Sequence, residues 1–164
     1  MLLWFVSTAV LTIHFVFRDP RFDHRPLIVG ALLPDLLDAP FGGARWFHSV
    51  TVAVGLLGSV MGLTVGRRVR RKALLGIPIG VLLHLVFDGA FSNTDVFWWP
   101  FTGGFDGARL PIASRGWWNV VLEVIGVGLA VWAYRLFGLS QPERRRRFVR
   151  EGTLVAVAPS GGRR

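Results

Sequence analysis

The sequence predicts an all-α integral membrane protein, a helical bundle of four full spans plus one proline-broken span. Apolar residues make up 52% of the 164 residues, and mean hydropathy is positive. They are gathered into blocks of near-bilayer length, which a soluble domain of this size does not need. The 19 basic residues, all arginine except Lys72, cluster at Arg67–Lys72 and Arg144–Arg150, directly beside apolar blocks. That is the pattern of cytoplasmic loops facing anionic headgroups. A net charge of +9 could also suggest nucleic acid, but its placement against the spans argues for lipid, and no nucleic-acid partner is expected. The preference for arginine over lysine points to a GC-rich bacterial genome.

The first block, Leu2–Phe17, has no basic residues ahead of it and no small-x-small cleavage site, so it reads as a retained span, not a signal peptide. Arg18–Pro26 is a charged, proline-bearing loop. Leu27–Phe41 (LIVGALLPDLLDAPF) is apolar but interrupted by Pro34, Asp35, Asp38 and Pro40. A proline frees backbone groups that a membrane tolerates only against protein or a wet cavity. Phe47–Gly66 is a span with His48 at its start, and its glycines and Ser59 suit close helix packing. Ala73–Phe91 is the next span. Ser92–Gly116 is a long aromatic- and glycine-rich connection, of the kind usually functional or disordered. Trp117–Leu139 is the last span. The transmembrane domain covers 1–140, and 141–164 is a basic cytoplasmic tail expected to lack fixed structure.

If both basic clusters are cytoplasmic, Phe47–Gly66 runs inward, Ala73–Phe91 outward and Trp117–Leu139 inward again. Letting Leu27–Phe41 cross leaves only Arg45, Arg109 and Arg115 of the 19 basic residues outside, as the positive-inside rule prefers. The protein is then a multi-pass cytoplasmic-membrane protein with the 67–72 loop and the tail inside. Asp35, Asp38, His48, His84, Asp88 and Glu123 gather near the outer face, and His14 lies at the opposite one.

His84 and Asp88 stand four apart in GVLLHLVFDGAF (Gly80–Phe91), on one helix face. Ionisable groups inside a span are expensive and mark function by default. There is no cysteine, so any metal is held by imidazole, carboxylate or backbone oxygen. Two imidazoles with several carboxylates suit a catalytic divalent ion, zinc first and manganese second, with an open position for water. Such an ion lowers the pKa of its water and polarises an ester or phosphoryl oxygen. A spare carboxylate, Glu123 or Asp38, would take the proton. The bland alternatives are a structural His84–Asp88 pair, a capping role for His48, a kink carboxylate at Asp35, support by Asp38, and a Glu123 paired with Arg115 or a backbone donor.

GALLPDLLDAP (Gly30–Pro40), FHS (Phe47–Ser49), LLHLVFDGAF (Leu82–Phe91) and FWWPF (Phe97–Phe101) together resemble the YdjM-type membrane-bound metal-dependent hydrolases, over roughly Leu27–Phe101. The resemblance implies a helical membrane fold related in motif style to zinc-dependent phospholipases C. It also implies hydrolytic activity, with Asp35, His48, His84 and Asp88 as metal ligands. This chain departs from the family at an early histidine, represented only by His14. It departs again in the Pro-Asp-x-x-Asp spacing, which moves Asp38 toward support, and in a shortened run at Arg45–His48. The expected substrate is a lipid-like ester or phosphoester met at headgroup depth, with the aromatic loop as a lid. The rival expectations are a transporter or proton relay using the same residues, and a non-catalytic membrane scaffold.

Overall fold

The structure, a computed structural model, describes residues 1–105 and 116–157, and within them every regular element is helical. The α-helices are α1 (Leu2–Phe17), α2 (His24–Asp38), α3 (Val50–Leu63), α4 (Arg68–Leu74), α5 (Gly76–Asp88), α6 (Thr94–Phe97), α7 (Trp118–Leu136) and α8 (Pro142–Glu151). Three short 3-10 turns, Ala39–Phe41, Trp46–His48 and Ala90–Ser92, punctuate them. Helix α2 lies along α5, α1 packs on α2 and α7, and α3 leans on α5.

The α2–α5 crossing is built from glycine. A Cβ on Gly30 would run into the Ile77 carbonyl, and one on Gly80 into that of Leu27. Backbones this close exclude any side chain, the same logic that puts small residues at membrane helix contacts. Gly126 plays this part between α7 and α1, where a Cβ would meet the Trp4 backbone and Ser7 donates to the Gly126 carbonyl at 3.2 Å.

Several expectations change in detail. Pro34 does not break α2, which continues as α-helix through it to Asp38. The proline only deletes the one N–H that would bind the Gly30 carbonyl. Asp23 caps the helix start, accepting from the Arg25 N–H at 3.0 Å. The Phe47–Gly66 span contracts to α3, 14 residues capped by Ser49, and α5 has 13. At 1.5 Å per residue each is about 20 Å long, short of a 30 Å hydrocarbon core. Among the described residues, only Trp118–Leu136 is long and apolar enough to cross a membrane by itself. Part of the aromatic connection is ordered as α6; Arg109 and Arg115, and the tail residues 158–164, lie outside the described residues.

The tail is not without structure. Pro142–Glu151 is helical, Gly152 in the left-handed region (φ 69°) ends it, and the following segment folds back on the bundle. Leu154 joins Phe22, Leu27 and Phe137 in the core, and the Val157 N–H bonds the Leu136 carbonyl at 2.8 Å. Arg25 reaches the carbonyls of Val149 and Arg150 at 2.9 and 3.2 Å. One buried leucine and this set of backbone bonds supply what a run of arginines alone lacks. Lys72 pairs with Asp19 at 2.7 Å. The 18–23 loop, the start of α2, the 67–72 cluster and α8 therefore occupy one end of the bundle.

Two outcomes are expected. Gly80→Ala should destabilise the protein by about 1–3 kcal/mol through overpacking. Gly58→Ala, where nothing lies within 4 Å, should be neutral or stabilise it by up to about 1 kcal/mol; thermal unfolding in detergent distinguishes them. His24 is buried, and its backbone N–H and Nδ1 both meet the Gly152 carbonyl, at 2.8 and 3.2 Å. Burial lowers its pKa below the ordinary imidazole value, against the opposing pull of its bonds to Gly152 and Phe22. The unfolded chain then binds the proton first, so the stability His24 contributes is full above about pH 6.5 and declines as pH falls below it. Hydrogen exchange of 142–157 should quicken in that window, and His24→Gln should flatten the dependence.

Candidate metal centre

At the other end of α2 and α5, three predicted ligands converge. Asp35 on α2, His48 in the turn before α3 and His84 on α5 each offer one ligand atom, all within 4.8 Å of one another. The Asp35 Oδ1 lies 3.5 Å from His48 Nε2 and 3.7 Å from His84 Nε2. Both imidazoles are buried, whereas the Asp35 side chain is 32% exposed, so the approach from solvent is on the aspartate side.

Each ring is fixed from behind. His84 Nδ1 lies 2.7 Å from the Ala31 carbonyl, an atom that can only accept, so Nδ1 carries the proton and Nε2 presents its lone pair. His48 Nδ1 lies 2.7 Å from Asp38 Oδ2, which puts a proton on Nδ1 of that ring as well. A carbonyl or carboxylate behind a metal-ligating histidine sets ring orientation and raises basicity. Asp38 is fully buried and also accepts from the Arg45 N–H at 2.8 Å. Phe5 of α1 packs its ring 4.0 Å from that of His84.

The donor set fits a divalent ion. Both Nε2 atoms are buried without a hydrogen-bond partner, a costly arrangement unless something binds them. Ligands bonded tetrahedrally at about 2.0–2.1 Å stand about 3.3 Å apart, close to the observed 3.5 and 3.7 Å. Two imidazoles and one carboxylate suit zinc or manganese and leave a coordination position for water or substrate.

The remaining candidates are placed differently. Asp88 ends α5 one turn beyond His84, about 6 Å further along the axis. It is buried and close enough to His48 for coulombic interaction, but stands outside the converging trio. Asp38 does not face the trio as a base; it holds His48 by Nδ1. Glu123 accepts from the backbone N–H groups of Leu3 at 3.1 Å and Trp4 at 3.4 Å. It therefore caps α1, whose opening amides have no helical acceptor. The Trp4 indole in turn donates to the Phe87 carbonyl at 3.2 Å, so Glu123 supports the helix that packs on His84. His14 sits at the far end, against Phe15 and Phe137.

Sequence reasoning left Arg45 without a role. Its guanidinium lies over the rings of Phe41 at 5.4 Å and Phe105 at 6.0 Å, within a cluster that also includes Trp46 and Trp99. Its position three residues before His48 was the available signal.

Comparison with family models, with curated proteins and with solved structures finds no match to this chain.

Asp38→Asn should weaken metal binding by about 10–100-fold through loss of the orienting carboxylate. Glu123→Gln should leave metal content unchanged while lowering stability by about 0.5–2 kcal/mol, the range of a lost helix cap. Elemental analysis and thermal unfolding of the two variants separate these outcomes.

Proposed function

We propose that this chain is a membrane-bound, metal-dependent hydrolase acting on an amphiphilic ester or phosphoester at the outer membrane interface. The observation that carries the reading is the convergence of Asp35, His48 and His84, with both imidazoles locked at Nδ1 and their Nε2 atoms facing one carboxylate. When bound there, a zinc or manganese ion supplies Lewis acidity and a water activated near neutral pH. The chain's part is to hold three ligands, keep the open position toward the exposed side of Asp35, and fix the rings so that binding needs little rearrangement.

Membrane embedding is supported by what the bundle leaves uncovered. Only 11% of the apolar stretch of α7 is buried; Val120, Val124, Val127 and Val131 form an exposed row along it. On α3 only Ala53 is buried, while Val54, Met61 and Leu63 are exposed. A soluble core helix would hide these faces, and exposed apolar patches of this extent mark contact with lipid or partner. In this reading α3 and α5 cross with the help of their flanking turns. In the same reading the arginine-rich end meets anionic headgroups on the cytoplasmic side, and the trio lies at the outer end. The motif resemblance to YdjM-type hydrolases points to the same activity. A proton relay would string ionisable groups through the depth of the bilayer; here Asp35, Asp38, His48, His84 and Asp88 gather at one end, apart from His14 and His24 at the other.

Detergent-purified wild-type protein should contain zinc or manganese and cleave a phospholipid or a short-chain ester. His84→Ala should lose both the metal and turnover. Retention of full metal by that variant would defeat the assignment, and recovery of the wild type from the soluble fraction would defeat the membrane reading.

A further inference from the structure

We infer that Arg45 is the anion-recognition residue of this centre and that its ligand carries a phosphate or phosphonate group attached to an apolar body. The inference rests on the metal reading above and narrows its substrate class from any ester to an anionic phosphoester.

The chain positions Arg45 through its backbone. The Arg45 N–H bonds Asp38 Oδ2 at 2.8 Å, and the same oxygen lies 2.7 Å from His48 Nδ1. The Arg45 carbonyl accepts the His48 N–H at 3.0 Å. One carboxylate oxygen therefore registers both the ligand histidine and the arginine, so the side chain starts from a fixed point beside the centre. Its guanidinium lies over Phe41 and Phe105, and among the described residues it has no carboxylate partner. Stacking occupies the face of a guanidinium and leaves its N–H fork at the edge for a bidentate anion.

Charge balance favours the same ligand. Asp35 is the carboxylate of the trio, and the fully buried Asp38 stands directly behind His48. An anion enters such a cluster only against compensating positive charge. A divalent ion held with Asp35 by two neutral imidazoles keeps a net positive charge, and Arg45 adds a second one. A neutral carboxylic ester would need no such cation. The aromatic rim of Phe41, Trp46, Trp99 and Phe105 around the guanidinium offers apolar surface to whatever carries the phosphate. A lipid phosphoester and a free phosphate share the recognised group, and they differ in their use of this rim.

Titration calorimetry of zinc-loaded, detergent-purified protein with inorganic phosphate, butylphosphonate and the neutral N-butylacetamide tests the assignment without relying on turnover. Arg45→Gln keeps the backbone N–H and should keep its zinc, yet bind phosphate and butylphosphonate about 10–100-fold more weakly, the range of a lost charge-assisted bond. Arg45→Lys should fall between, and N-butylacetamide should not respond to either change. Tighter binding of butylphosphonate than of phosphate, lost in Trp99→Ala, identifies an apolar phosphoester as the ligand; equal binding of the two overturns the apolar body. Unchanged butylphosphonate affinity in Arg45→Gln, loss of zinc by that variant, or no binding of either anion by the wild type overturns the role of Arg45. Arg45-dependent binding without hydrolysis of any ester would sink the hydrolase reading and leave this one standing.

Discussion

The close crossing of α2 and α5 sets the terms for everything near the candidate metal centre. Gly30 and Gly80 bring two backbones together so tightly that no Cβ fits between them. Only at this separation can His84 reach across to the Ala31 carbonyl with Nδ1. A bulkier contact would push α5 away and release the ring, and with it the direction of the Nε2 lone pair.

Around that crossing the molecule is polarised from end to end. One end collects Asp35, Asp38, His48, His84 and Asp88, with the Phe5 ring against that of His84. The other collects arginines, ties the 18–23 loop to the 67–72 cluster through Asp19–Lys72, and receives the C-terminal segment on His24 and Arg25. Between them run faces of α3 and α7 with little protein cover.

The site shows how buried polar groups are made tolerable. Each imidazole satisfies one nitrogen internally and presents the other, and Oδ2 of the carboxylate behind His48 also accepts from a backbone amide, while its Oδ1 is buried without a hydrogen-bond partner among the described residues. Groups that do not face the trio still hold it: Glu123 fixes the start of α1, and α1 places Phe5 against His84. Removing any of these supports loosens a ligand without touching it.

The sequence by itself determined the helical class, the apolar blocks, the end-to-end division of charge and the identity of Asp35, His48 and His84. Hydrophobic periodicity and the expense of a buried ionisable group are both readable residue by residue. Tertiary structure alone decided that Asp88 stands aside from the trio, that Asp38 orients a histidine, that Glu123 caps α1, and that the tail folds back to bury Leu154. Each of these depends on which backbone amide or neighbouring helix lies within about 3 Å of a side chain, and that distance follows from how the helices pack, not from spacing along the chain.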